Sequence, residues 1–182
     1  PMVTYLIEHL KPNAHVLELG VGSGAIACAL ASHRQDVLIH GIDSQKKCID
    51  VATMNVNQLN LHNQITLDVE DWYHMDLTRK YDCIVSNPPY IDYDDTDVEQ
   101  SVRDFEPHTA LFSPDAGLKD IQHIMHLSKT NLSDEGVLVL EHGWQQQRRL
   151  IELAEAEGWS VLAAGRDGLH PRYIVLSRTQ LN

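Results

Sequence analysis

Long apolar runs are missing from this 182-residue chain. No stretch approaches the roughly 18 consecutive apolar residues of a membrane-crossing helix, and no signal-peptide pattern is read at its start. No membrane association and a cytoplasmic location are therefore expected. Cysteine is scarce, at three residues. Cys28, Cys48 and Cys83 fall in expected helices and an expected strand without metal-type spacing, and they read as buried thiols of a reducing compartment. His123, His126 and His142 invite a metal reading, but His123 and His126 lie on a polar helix stripe without a carboxylate at ligand spacing, so no metal is expected.

Basic residues are also few: 14 Lys and Arg stand against 26 Asp and Glu, for a formal charge of −12. The adjacent basic residues are isolated pairs, Lys46-Lys47, Arg79-Lys80 and Arg148-Arg149. A phosphate backbone needs concentrated cations, so direct nucleic-acid binding is not expected. Acids cluster instead at Asp92, Asp94, Asp95, Asp97 and Glu99, a run that repels DNA or RNA and either steers a basic protein surface or is simply solvated. Repeats, low-complexity stretches and flexible linkers are absent. With 43% hydrophobic residues, residues 1–182 read as one ordinary domain with room for a proper core.

What is present is a series of short motifs, each following an apolar run. Glu18-Leu19-Gly20-Val21-Gly22-Ser23-Gly24 follows Val16-Leu17 and precedes the helix-favouring Ala25 to Ala31, giving strand, glycine turn, helix. Gly20, Gly22 and Ala25 satisfy G-x-G-x-x-A, and Asp43 ends the next apolar run, Leu38 to Ile42. The pattern points to an adenosine-containing ligand whose ribose diol meets Asp43, without choosing the cofactor. Asp71-Trp72 follows a third run, Ile65-Thr66-Leu67, where an acid beside an aromatic suits hydrogen bonding to, and stacking on, an adenine. Asn87-Pro88-Pro89-Tyr90 follows the fourth, Cys83-Ile84-Val85. The Asn87 side-chain carbonyl and the Pro88 carbonyl are two acceptors for a planar NH2 group, the prolines stiffen the turn, and Tyr90 offers an aromatic face. Ligands of doubly wound sheets bind at carboxyl ends of strands, where all four motifs land.

Taken together, these motifs resemble the catalytic domain of release factor glutamine methyltransferases, within the class I S-adenosylmethionine-dependent methyltransferases. The resemblance extends through Val85 to Ile91, Phe105-Glu106-Pro107 with Thr109-Ala110-Leu111, Asp115-Ala116-Gly117-Leu118 and Leu140-Glu141-His142-Gly143-Trp144-Gln145-Gln146. NPPY is shared with enzymes that methylate amino groups of adenine or guanine; the Phe-Glu-Pro and Glu-His-Gly-Trp-Gln-Gln segments point to protein glutamine.

The resemblance implies that Gly20, Val21, Gly22, Ser23 and Gly24 line the methionine part of S-adenosylmethionine, with Glu18 supporting that end. It implies that Asp43 binds the ribose and that Trp72 with Asp71 borders the adenine. Asn87 would serve cofactor and substrate amide alike, with Pro88, Pro89 and Tyr90 completing the substrate cradle. The expected reaction is methyl transfer to the side-chain amide of a glutamine, most directly in the Gly-Gly-Gln motif of peptide chain release factors, by a protein expected to be a monomer. A nucleic-acid amino methyltransferase, a ribosomal-protein glutamine methyltransferase and a non-catalytic adenosine- or dinucleotide-binding module are the alternatives. Two departures from the family pattern stand out: Val21 replaces a small hydroxylated residue, and the Arg166 to Arg172 stretch is short, leaving Arg172 without a role. Full-length members carry a small helical domain ahead of the catalytic one, so this chain is expected to be an isolated catalytic domain.

The expected fold is α/β and Rossmann-like, a seven-stranded, mostly parallel sheet of order 3-2-1-4-5-7-6 by the resemblance, with helices on both faces. Helices are expected at Val3 to His9, Lys46 to Asn60, Leu118 to Asn131 and Gln147 to Glu157. Ile49, Ala52, Val56 and Leu59 form the core face of the second of these. Strands are expected at Tyr81 to Ser86, Val137 to Glu141, Ser160 to Ala163 and Tyr173 to Ser177. The loop Gly165 to Pro171 is too short for a helical crossover, so the last strand is antiparallel. A long loop, Ile91 to Ala116, is expected to cover substrate.

Overall fold

The computed structural model describes residues 1–75, 78–90 and 117–178. The expected covering loop from Ile91 to Ala116, with its acidic run and Phe105-Glu106-Pro107, lies outside the described residues. The elements run α1 (Met2–His9), β1 (His15–Leu19), α2 (Ala25–His33), β2 (Leu38–Asp43), α3 (Lys46–Gln58), β3 (Ile65–Val69) and β4 (Tyr81–Ser86). They continue as α4 (Lys119–Asn131), β5 (Leu132–Glu141), α5 (Gln147–Ala156), β6 (Ser160–Asp167) and β7 (His170–Ser177).

The seven strands form one sheet of order β3-β2-β1-β4-β5-β7-β6. β1 to β5 are mutually parallel where they pair, and β7 runs antiparallel to both β5 and β6. A strand covered on both faces reads as a continuous apolar run, because successive side chains go to opposite sides. Val16 packs with the layer of α1, α2 and α3, while its neighbour Leu17 packs with α4 and α5; Val139 and Leu138 divide the same way. The helices carry matching stripes, such as Ile121, Ile124 and Met125 on α4 and Leu150 and Ala154 on α5.

Three local features differ from the sequence expectation. Leu59 is half exposed rather than core. Helix α3 stops at Gln58, Asn60 adopts φ 57, and the redirected chain buries Leu61 instead. β6 and β7 are longer than their apolar centres and meet at a two-residue turn, Gly168-Leu169, where Gly168 has φ 58 and Leu169 does not have positive φ. A glycine at the first central position fits a type II′ hairpin turn, whose twist suits antiparallel strands. β5 starts at Leu132, with an irregular step opposite Tyr81 and Cys83 before the regular ladder from Val137.

Because β1, β2 and β4 are parallel, the glycine loop, Asp43 and Asn87 emerge at the same edge of the sheet. A buried hydrogen bond from Ser86 Oγ to the Leu19 carbonyl, 2.7 Å, locks the end of β4 to the end of β1 and so sets Asn87 beside the glycine loop.

Candidate active site

At this edge lies a cavity of about 540 Å³. Its wall includes Glu18, Gly20, Val21, Gly22, Ser23, Asp43, Asp71, Trp72, Asn87 and Pro89, residues drawn from all four motifs. Gly24, Pro88 and Tyr90 are not on that wall. Gly24, at φ 80, precedes α2, and a Cβ there would stand 3.2 Å from Ala52 Cβ, so it allows α2 and α3 to approach. Pro88 is buried and Tyr90 half-buried.

The glycine loop is closed by its own hydrogen bonds. Gly20 and Val21 N–H both donate to the Ile42 carbonyl, Gly24 N–H donates to the Val21 carbonyl, and Gly22 N–H donates to Asp43 Oδ2 at 3.0 Å. Asp43 Oδ1 accepts from Gln45 N–H at 2.9 Å. Asp43 therefore braces the loop as well as facing the cavity, and these N–H groups are committed rather than presented to a diphosphate. Gly20, at φ 72, lies against the Trp72 ring, and a Cβ there would sit 3.0 Å from Cζ3.

The ionisable side chains at the cavity are acids. Glu18, Asp43, Asp71 and Asp120 line it, and no Lys, Arg or His does among the described residues. Glu18 is 1% exposed, and its Oε2 has no hydrogen-bond partner among the described residues. Burial pushes its pKa up to about 8; the Ala27 backbone N–H pulls down and the Asp43 charge adds to the rise. Since the folded value lies above the ordinary 4.5, the stability contribution is fully present below that value and is lost as pH rises through about 8. Glu18→Gln is accordingly expected to raise Tm above wild type at pH 8 to 9, with the gap closing towards pH 5. A pH-independent gap in thermal denaturation would refute a buried ionising group.

Asp71 makes a local turn: Oδ1 accepts from Tyr73 N–H at 2.9 Å and Oδ2 lies 3.0 Å from His74 Nδ1. Sequence reading missed Ala25, Ile26, Ser44, Gln45, Cys48, Tyr73 and Asp120 on the wall. Tyr73 donates its hydroxyl to Asp120 Oδ1 at 2.8 Å and stacks on His123 at 4.1 Å between ring centres. His123 thus packs against the site instead of lying on a free polar stripe. Asp120 was detectable as an acid on the buried stripe of α4, one residue before Ile121 and four before Ile124. Cys28 and Cys83 are buried as expected; Cys48 is half-exposed on the cavity wall, because the first turn of α3 faces the ligand space. Among the described residues, no three His, Cys, Asp or Glu side chains gather to hold a metal ion, and no helix is long and apolar enough to cross a membrane.

The segment from Glu141, the last residue of β5, to Gln146 supports the NPPY turn. Gln146 Nε2 donates to the Tyr90 carbonyl at 2.8 Å while its Oε1 accepts from Gly143 N–H at 2.9 Å. The Tyr90 hydroxyl lies 3.3 Å from Glu141 Oε1 and 3.5 Å from Arg172 Nη1, which places Arg172 at the turn. Burial raises the pKa of both Tyr90 and Glu141. His142, wholly buried and with its pKa lowered by burial, hydrogen-bonds the Gly143 carbonyl through Nδ1.

A family model described as a methyltransferase small domain matches residues 3–105. The release factor glutamine methyltransferase of Haemophilus influenzae is 37% identical over 171 residues, 88% of this chain and 57% of that protein. Its counterpart in Escherichia coli is 40% identical over 152 residues, 84% of this chain and 54% of that protein. The chain spans just over half the length of these relatives. Among solved structures, the ribosomal protein L11 methylase of Lactobacillus delbrueckii subsp. bulgaricus aligns with TM-score 0.70 at 18% identity, over 98% of this chain and 77% of that one. Coclaurine N-methyltransferase bound to N-methylheliamine and SAH aligns with TM-score 0.53 at 17% identity, over 78% of this chain and 34% of that one. Both structural likenesses speak to the fold, which is that of the class I methyltransferases. The chain belongs to the methyltransferase small domain family.

Proposed function

We propose that this chain uses S-adenosylmethionine to methylate the side-chain amide nitrogen of a glutamine in a protein, and that the protein is a peptide chain release factor. The observation that carries the proposal is the position of Asn87, held at the rim of an acid-lined cavity by the Ser86–Leu19 bond and backed by the buried Pro88. Relatives at 37% and 40% identity named for this reaction support it.

The residues fit that cofactor. A cavity bearing Asp43, Asp71 and Asp120 complements a ligand with sulfonium and ammonium charges and opposes the diphosphate of a dinucleotide. The unpartnered Oε2 of Glu18 is an acceptor for the amino-acid end, Asp43 for the ribose hydroxyls, and Trp72 with Tyr73 forms an aromatic border for the base. When bound, S-adenosylmethionine supplies an electrophilic methyl group. Asn87 Oδ1 and the Pro88 carbonyl accept the two amide N–H groups of the substrate, which orients the nitrogen and favours its pyramidalisation. An amide lone pair is delocalised, so positioning and electrostatics carry the acceleration; the methyl–sulfur bond breaks as the methyl–nitrogen bond forms, S-adenosylhomocysteine leaves, and one N–H proton, acidic once the nitrogen is alkylated, is lost to solvent, so a strong base is not needed before transfer.

Calorimetric titration tests the cofactor: S-adenosylmethionine is expected to bind and NAD not to. Asp43→Ala is expected to weaken binding about 30-fold or more, because it removes both the ribose acceptor and the brace on Gly22. Unchanged affinity in that variant would remove Asp43 from the site. Methyl transfer to an unmodified release factor, and none to duplex or single-stranded oligonucleotides, is the expected outcome of parallel incubations; preferential labelling of the oligonucleotides would replace the protein reading with the nucleic-acid one.

A further inference from the structure

Beside the proposed cradle the surface is apolar where it need not be. Trp144 is 51% exposed, and Leu169, at the tip of the β6–β7 turn, is 85% exposed. Single exposed apolar residues are ordinary, but these two are linked: His170, the residue after Leu169, meets the Trp144 ring at 5.4 Å between centres. The pair is also continuous with the NPPY turn. A Cβ on Gly143, the residue before Trp144, would stand 3.5 Å from Tyr90 Cδ2, and Gln146 holds both Gly143 N–H and the Tyr90 carbonyl. On the hairpin side, Arg172 reaches the Tyr90 hydroxyl and its carbonyl accepts from His142 N–H at 2.9 Å. The segments that carry Trp144 and Leu169 are thus both tied to the NPPY turn, through Gln146 and Arg172.

We propose that Trp144 and Leu169 form a docking shelf for the polypeptide flanking the target glutamine, taking an apolar side chain of the protein substrate against the indole. The proposal rests on the glutamine methyltransferase reading, because a glutamine side chain entering at Asn87 to Tyr90 must bring its own backbone over the adjoining surface. An aromatic with a polar edge beside an aliphatic tip is the composition that anchors protein interfaces, whereas a small-molecule substrate would leave the shelf without use. The shelf acts on substrate affinity and stays apart from the chemistry at Asn87.

The test compares wild type, Trp144→Ala and Leu169→Asp with an unmodified release factor and with a short peptide containing only its Gly-Gly-Gln motif. Each variant is expected to raise KM for the intact release factor about tenfold, with kcat within about twofold, and to leave KM for the short peptide unchanged. Cofactor affinity and Tm are expected to stay at wild-type values, which separates a docking role from a structural one. Unchanged KM for the release factor in both variants overturns the shelf while leaving the functional reading intact. Failure of wild type to methylate either substrate overturns the functional reading and the shelf with it. Equal KM increases for protein and peptide place the two residues in the cradle rather than in docking, and also overturn the proposal. Self-association of wild type that Trp144→Ala abolishes, with KM unchanged, assigns the shelf to a second copy of the chain instead.

Discussion

Asn87→Ala lowers kcat/KM for glutamine methylation by about a thousandfold and changes S-adenosylmethionine affinity by no more than about fivefold: this is the expected result, and it follows from where Asn87 stands. The side chain is exposed at the cavity, so truncating it opens no hole in the core. Its backbone is fixed independently by the Ser86–Leu19 bond and by the buried Pro88 and Pro89, so the turn survives the change. In the proposed reaction, what is lost is one of two acceptors for a weakly nucleophilic amide, while the cofactor would keep Glu18, Asp43 and the Trp72 border. Asn87→Gln keeps the amide and moves it outward by one methylene; it is expected to recover little, because position rather than the mere presence of an amide does the work. Steady-state kinetics with calorimetry separates these effects. A variant with near-normal turnover would remove Asn87 from the reaction.

Gly117→Ala is the second large effect, from a single methyl group outside the cavity wall. Gly117 has φ 75, and its added Cβ would sit 2.0 Å from the Tyr90 carbonyl oxygen and 2.6 Å from Gln146 Nε2. Those two atoms are themselves hydrogen-bonded at 2.8 Å, so the methyl would occupy the space that closes the NPPY turn against the Glu141 to Gln146 segment. Both neighbours cannot move away without breaking that bond, and the left-handed backbone adds its own strain. Turnover is expected to fall at least about a hundredfold, since a displacement of about 1 Å at a positioned group costs that much. Cofactor binding is expected to persist, because Gly20, Asp43 and Trp72 lie elsewhere. Circular dichroism and calorimetry identify a folded, cofactor-binding and inactive protein; a fully active Gly117→Ala would show that the Gln146–Tyr90 bond does not position the turn.

The order of elements and the motifs at the strand ends were legible because each follows from a local rule. Apolar runs mark strands buried on both faces, and glycines with a following helix mark a ligand turn. A short connection forces an antiparallel final strand. The resemblance supplied what local rules could not, the order of the sheet. Other features depended on contacts distant in sequence. Cys48 reads as a buried thiol from its helix alone, and only the docking of α3 turns its first turn to the cavity. Leu59 fits the core spacing but falls one residue past the end of its helix. Arg172 and Gln146 had no stated task until the fold brought both to Tyr90, and Asp71 satisfies its own turn as well as facing the cavity. Asp120 was visible as an acid on an apolar stripe, yet its partner Tyr73 lies 47 positions away.

Mass analysis of an unmodified release factor after incubation with this chain and S-adenosylmethionine decides whether the chain methylates glutamine. A gain of one methyl group, localised by fragmentation to the side-chain amide of the glutamine in the Gly-Gly-Gln motif, is expected, with no gain for Asn87→Ala. A methyl group found on any other atom, or an equal gain with the Asn87 variant, would contradict the glutamine methyltransferase reading.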